Sequence, residues 1–331
     1  MQLRRATLSL AFLACLLSLF SPNRVIAQAA TIGTIVVPQR LRQGDPLLAW
    51  MLTEAPVAEA RLVNAAGKVV RRVPCFAASA MFQADGTSAS LDGRRLFGAL
   101  MALSPELPTG AYELLIGGDG GFASALITIE ARHFPLETIH LDDANTQIRT
   151  LPSKRKDDEA RRLYAILKKI DPEAVFAQPP AFLFPVGGGW QSAGFGDVRR
   201  YVFPNGDSDR SVHAGLDWAV VAGTTVSACA RGKVLLVADR EVTGKTVVIE
   251  HLPGLYSLYF HLSGIEVAEG TVVERGERIA LSGSTGMSTG PHLHWELRAM
   301  GEAVDPERWL KSAILDKDAV LAIISGLIEG R

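Results

Sequence analysis

Five of the seven histidines in this chain of 331 residues fall after residue 180. Two of them, His292 and His294, stand one residue apart in "GPHLHWEL", at the entrance to a segment that reads as a strand. Residues i and i+2 of a strand share a face, so both imidazoles project into one space. Upstream, "VHAGLDWAVV" places His213 and Asp217 four residues apart. A spacing of four puts two groups on one side of a strand or of a helix, and Gly215 with its β-branched neighbours favours the extended form. Imidazole nitrogen and carboxylate oxygen are zinc ligands, and a catalytic zinc site takes three of them and keeps a fourth position open. His213, Asp217 and one member of the His292/His294 pair would complete such a set. The other imidazole would then be free to move protons near neutral pH.

The remaining histidines divide in the same way. His261, in "LYSLYFHLS", shares a strand face with Tyr259, and both are expected to line one cleft. Gly286, Gly290 and Pro291 are expected to give a tight backbone approach that leaves room for a substrate chain. His251, after "TVVIE", reads as structural, and His133 and His140 as surface or packing residues.

The elements that must hold these groups are mostly β. From Phe182 onward, short glycine-punctuated strands follow one another with no long helical pattern, which predicts a compact antiparallel β domain over residues 181–312 and a tail over 313–331. Residues 28–132 show strand and turn signals such as Arg61 to Val63, then Asn64-Ala-Ala-Gly67, then Lys68 to Val70. They predict a small antiparallel, Ig-like β-sandwich with no catalytic cluster, acting as a binding or spacer module. Residues 133–180 read as a linker with one amphipathic helix: Leu163, Ile166, Leu167 and Ile170 recur at helical spacing, the charges of "SKRKDDEARR" form a solvated face, and Gln178-Pro179-Pro180 is an extended joint.

Composition sets the compartment and excludes some partners. Arg4 and Arg5 precede an apolar run from Ala6 to Phe20, and Val25-Ile26-Ala27 offers the small residues of a cleavage site, so residues 1–27 read as a secretory signal. The run is shorter than the roughly twenty residues of a spanning helix, and no stable membrane insertion is expected after cleavage. The mature chain keeps 31 basic and 35 acidic residues, a net charge of −4, which gives nucleic acid no electrostatic foothold. Cys75 and Cys229 are too few for a disulfide scaffold and are either one cross-domain pair or two buried thiols.

At these residues the chain resembles the lysostaphin/LytM-type zinc metallopeptidases, which cut peptide bonds in bacterial peptidoglycan. The resemblance runs from about Phe182 to Trp309, through "AGFGDVRR", "HAGLDWAVVAGTTVSACARGKV", "TVVIEHLPGLYSLYFHLS" and "GERIALSGSTGMSTGPHLHWELR". It implies one zinc ion per chain held by His213, Asp217 and His294, with His261 and His292 as catalytic imidazoles. It also implies a substrate among peptidoglycan peptide stems, with the bond set by the host's wall, D-alanyl to diaminopimelate in a Gram-negative-type wall and glycyl bonds where glycine bridges exist, and a periplasmic or otherwise exported location. The alternative within the same family is an inactive relative that activates cell-wall amidases. Thr243-Gly244-Lys245 and Cys229 depart from the usual family residues, and the insert "YVFPNGDSDRS" is expected to reshape the cleft. The resemblance leaves the partner of the N-terminal module unknown.

Overall fold

The structure is a computed structural model that describes residues 25–30, 32–79, 93–177 and 181–314. Its first part has ten strands: β1 (Val25–Ala30), β2 (Gly33–Pro38), β3 (Arg40–Arg42), β4 (Pro46–Thr53), β5 (Glu59–Asn64), β6 (Val69–Pro74), β7 (Phe76–Ala77), β8 (Arg95–Ala102), β9 (Gly110–Gly118) and β10 (Gly121–Glu130). They form two five-stranded sheets, ordered β1-β2-β4-β8-β7 and β3-β10-β9-β5-β6. The apolar run of the expected signal lies outside the described residues, and the expected cleavage point after Ala27 falls within β1.

Alternation along each strand decides what is buried. In β10, Ala123, Ala125, Ile127 and Ile129 face inward while Leu126 is exposed. β4 is buried along its whole length, because the two sides of its sheet have different partners. Leu47, Ala49 and Met51 share a core with Leu62, Leu114 and Ile127 of the second sheet. Leu48, Trp50 and Leu52 share a core with Phe182, Phe195, Trp309 and Ile314 of the C-terminal part. One departure from an all-antiparallel arrangement is β3, which runs parallel to β10. The chain crosses from one sheet to the other at Gln39 instead of turning back. The N-terminal unit is thus packed directly on the rest, and Arg132 is ion-paired with Asp305 across the junction.

The segment expected as a linker is also packed. It contains β11 (Leu136–His140), α1 (Asp143–Thr150) and α2 (Lys154–Lys168). Asp142 caps α1 by accepting from Asn145 N, and Ser153 caps α2 by accepting from Lys156 N. Leu163, Ile166 and Leu167 seat α2 against Leu236, Val248, Tyr256, Leu258 and Phe260. The helix ends at Lys168, so Ile170 lies beyond it, in extended chain leading to Asp171-Pro172. Gln178-Pro179-Pro180 lies outside the described residues.

The C-terminal part contains β12 (Trp190–Ala193), β13 (Val198–Val202), β14 (Ser208–Val212), β15 (Leu216–Ala219), β16 (Thr225–Ser227), β17 (Gly232–Arg240), β18 (Gly244–Leu252), β19 (Leu255–Leu262), β20 (Gly264–Ile265), β21 (Val272–Val273), β22 (Arg278–Leu281), β23 (His292–Ala299), β24 (Glu302–Val304) and the short α3 (Glu307–Lys311). An eight-stranded sheet follows the path β12-β15-β23-β19-β18-β17-β21, with β24 beside β23. β16, β22 and β20 form a small sheet, and β11, β13 and β14 form another, in which β11 runs parallel to β13. The insert is therefore a β-hairpin, and the preceding segment adds a strand to it. Cys75 and Cys229 are separate free thiols. Among the described residues no helix is long and apolar enough to cross a membrane.

Candidate functional site

The antiparallel register of the large sheet sets His294 directly opposite Asp217 on one side and opposite Phe260 on the other. Directly opposed residues in such a pair hold their side chains within contact range, so the register alone brings the carboxylate to the imidazole. His213 arrives differently. It lies after β14, in a loop, and not on the same strand as Asp217 as its spacing predicts. The loop passes close over β23 at Gly215, where an added Cβ would come within 2.3 Å of Trp295 O. Its backbone is tied to the turn of residues 194–197: His213 N donates to Asp197 O and Gly196 N donates to His213 O, both at 2.8 Å.

The outer atom of each ring or carboxylate is occupied, and the inner atoms face one another. His213 Nδ1 lies 2.6 Å from Gly194 O, which leaves Nε2 inward. His294 Nε2 lies 2.9 Å from Glu296 Oε1, which leaves Nδ1 inward. Asp217 Oδ2 is bonded by Arg199, which leaves Oδ1 inward. The inward atoms are 2.7 Å apart for His294 and Asp217, 3.0 Å for His213 and His294, and 3.1 Å for His213 and Asp217. All three residues are buried.

Such a donor set fits a divalent zinc ion: two nitrogens and one oxygen, with bonds of about 2.0–2.2 Å, span a small tetrahedral face. The electrostatics agree. Burial disfavours a charge on His294, but Asp217 and Glu296 on either side outweigh it and lift the imidazole to about 9. Burial likewise opposes charge on Asp217, yet the two histidines hold its carboxyl well below the usual range. Glu296 is held at about 2: burial opposes this, and Arg298 and His294 overcome it. The pocket thus favours a positive charge at its centre.

Two more imidazoles border this cluster. His292 stands opposite Ala219 in the register, with Nδ1 2.8 Å from Gly290 O and Nε2 3.8 Å from Asp217 Oδ1. The His261 Nδ1 atom lies 2.7 Å from Thr285 O, and its ring centroid is 4.7 Å from that of His292. A backbone carbonyl on Nδ1 fixes the tautomer in which Nε2 is a proton acceptor. Burial pushes His261 down to about 3, with help from His292 and His294, and burial also lowers His292, so both rings are neutral at pH 7.

His261 reaches the cleft by a route the alternation did not predict. Its φ is +58°, a left-handed conformation that turns the side chain away from the face set by Tyr259. Tyr259 is fully buried on the other side, where its hydroxyl accepts from Cys229 N at 2.9 Å, so it does not line the cleft. Phe260 lines it instead and stacks on His294 with rings 2° from parallel. Of the expected backbone approaches, Gly286 is a true one: its φ is +75° and a Cβ would meet Gly244 N at 2.4 Å. Gly290 faces open space.

The cleft has a volume of about 640 Å³. One wall comes from outside the β core: His140 and Asn145 from the expected linker, with Tyr201 and Ser211 from the insert hairpin. Asn145 Nδ2 donates to Ser288 O at 3.3 Å, which joins α1 to the loop leading into His292. His140 is exposed on this wall, whereas His133 is exposed and His251 fully buried, both away from the cleft lining. Sequence reasoning missed Arg199 and Glu296. Glu296 had a signal, since His-x-His-x-Glu continues one strand face by two residues. Arg199 had none.

Comparison with known proteins agrees with this geometry. The model for Peptidase family M23 matches residues 211–306. The peptidoglycan DD-endopeptidase ShyA of Vibrio cholerae is 44% identical over 93 residues, 28% of this chain and 22% of ShyA. The murein hydrolase activator EnvC of Escherichia coli is 42% identical over 88 residues, 27% of this chain and 21% of EnvC. The chain thus spans about a fifth of the length of the curated relatives it matches. In fold, it is similar to a putative peptidase M23 from Pseudomonas aeruginosa, with a TM-score of 0.53 and 24% identity, covering 80% of this chain and 93% of that one. Residues 211–306, which carry the His-Asp-His cluster and both neighbouring imidazoles, are a peptidase family M23 domain of the LytM/lysostaphin type.

Proposed function

We propose that the protein is a zinc-dependent endopeptidase that cuts peptide cross-links of peptidoglycan, with His213, Asp217 and His294 as metal ligands and His261 and His292 as the catalytic imidazoles. The observation that carries this reading is the division of labour among five polar groups, four buried and His292 half-buried: three aim their inner atoms at one point, and two present free Nε2 atoms beside it. Bound there, the ion supplies Lewis acidity, acidifying water and polarising a peptide carbonyl. His292, whose Nε2 is nearest Asp217, accepts the proton of the attacking water. His261, whose ring centroid lies 4.7 Å from that of His292, also presents an unprotonated Nε2; once it has taken up a proton released by the attacking water, it can pass that proton to the leaving amine or hydrogen-bond the developing oxyanion. Phe260 and the walls from α1 and the insert hairpin exclude bulk water from the ligand cluster.

The name of ShyA supports a DD bond in peptidoglycan as the target, and the substrate in turn supports an exported, periplasmic location. Residues 28–132 serve as an accessory domain for a wall or protein partner.

The likeness to EnvC favours a second reading, an inactive activator of cell-wall amidases. Incubating the purified mature chain with isolated sacculi, with and without a chelator, separates the two. Chelator-sensitive loss of cross-linked peptide dimers is expected. Release of product only when an amidase is added, with no change on chelation, would establish the activator reading.

A further inference from the structure

The two oxygens of Asp217 have separate tasks. Oδ1 faces His213 and His294, whereas Oδ2 is bonded by Nη2 of Arg199. Arg199 is on β13, and its Nε donates to Oε2 of Glu137 at 3.2 Å. The contact is set by backbone register, since Glu137 of β11 and Arg199 of β13 are direct partners in the parallel pair. The Arg199 side chain is 12% exposed and that of Asp217 9% exposed, so their pairing is shielded from water, while Glu137 is 40% exposed. Glu137 and Arg199 both lie outside residues 211–306.

A free carboxylate can grip a metal with one oxygen or with both. A planar guanidinium on Oδ2 engages that oxygen's lone pairs and fixes the plane of the group, so only Oδ1 is presented to the ion. That keeps the protein's contribution at three donor atoms and leaves a coordination position for the reaction. Lysine could not replace arginine fully, because one ammonium cannot hold Asp217 and Glu137 in a planar fork.

Resting on the zinc-site reading above, we propose that Arg199 is the positioning residue for Asp217 and that Glu137 holds Arg199 in place, so that strand β11, which precedes the peptidase domain, is a working part of the metal centre. Removing a partner of this kind typically costs about 10–100-fold in metal affinity. The half-exposed Glu137 contributes less, roughly two- to fivefold.

The test uses the full mature chain and its Arg199→Met, Arg199→Lys and Glu137→Gln variants. Zinc affinity is read by competition with a chelating dye, and the visible spectrum of the cobalt-loaded protein reports coordination number. Arg199→Met is expected to lose about 10–100-fold in affinity and to show weaker cobalt bands as Asp217 turns to bind through both oxygens. Arg199→Lys should recover part of the loss, and Glu137→Gln should lose roughly two- to fivefold in affinity. If wild type binds one zinc ion and Arg199→Met binds it as tightly with an unchanged cobalt spectrum, the positioning role is wrong while the metal site stands. If KM rises with metal affinity unchanged, Arg199 serves the substrate and the proposal is overturned. A wild-type chain that binds no zinc at all removes the underlying site together with this role. Should Arg199→Met fail to fold, the Glu137→Gln and Arg199→Lys affinities decide alone, and values equal to wild type would end the proposal.

Discussion

The same large sheet carries two buried clusters of polar side chains, one around His294 and the other around His251. At His251 every valence is used inside the protein. Nδ1 lies 2.9 Å from Arg231 O and Nε2 lies 2.7 Å from Ser257 Oγ, which in turn contacts the Tyr259 hydroxyl at 3.1 Å. Phe182 covers the ring at a centroid distance of 5.3 Å, and the Cys229 sulfur sits 3.6 Å from Nε2. The cluster is sealed, and burial drives the Cys229 thiol up to about 11, far from a nucleophile's range. Around His294, by contrast, groups outside the cluster occupy only the outer atoms, and the inner ones touch only one another, at 2.7 to 3.1 Å, beside a cleft. Reactive capacity here depends on which lone pairs the fold leaves uncommitted, not on residue type or depth.

The strongest way to break this contrast is substitution in the open cluster. His292→Ala and His261→Ala are each expected to lower the rate of cross-link cleavage by about 10²–10⁴-fold with zinc content unchanged, whereas His213→Ala loses the metal as well. Metal analysis alongside a sacculus assay checks both. Equal zinc loss in all three would mean the two imidazoles are not a separate catalytic pair.

The sealed cluster should answer to pH instead. Burial lowers His251 from 6.5 to about 4. A depressed pKa means that its contribution to stability is complete above about pH 6.5 and is lost as pH falls through about 4. The loss amounts to about 3 kcal/mol. Denaturant unfolding of wild type and His251→Gln at pH 7 and pH 4 should show the wild-type advantage shrinking by about that amount. Parallel behaviour of the two proteins would show that His251 is not held neutral.

A smaller effect sharpens the boundary between the clusters. Glu296→Gln keeps a partner for His294 Nε2 but removes the carboxylate, and zinc affinity should drop by about tenfold, near the low end for such partners. Smaller still, Lys154→Ala on the exposed face of α2 should leave the denaturation midpoint unchanged, because its i,i+4 pair with Asp158 is solvated.

Much of the site was legible because strand register is a two-residue code. His292 and His294 repeat along one strand, and one partner of that strand, β19, shows in the apolar run "LYSLYF". The amphipathic stripe of α2 was equally plain, since Leu163, Ile166 and Leu167 obey the helical period. What escaped were features set by tertiary context. β11 has five residues and α1 eight, too short for a periodic signal to rise above chance. The meeting of His213 with Asp217 depends on a loop crossing a strand, which spacing along the chain does not encode. The packing of β4 on both faces, which fixes the N-terminal unit to the rest, shows in its apolar run "PLLAWMLT", but the identity of the second partner does not.

The left-handed backbone at His261 carries a consequence for engineering. Glycine would relax that conformation, so a screen for heat-resistant variants should favour replacing the histidine, with a gain on the order of 1 kcal/mol. Hardier proteins selected that way would have traded the ring proposed as catalytic for backbone comfort, and a library meant to improve the molecule should hold position 261 fixed.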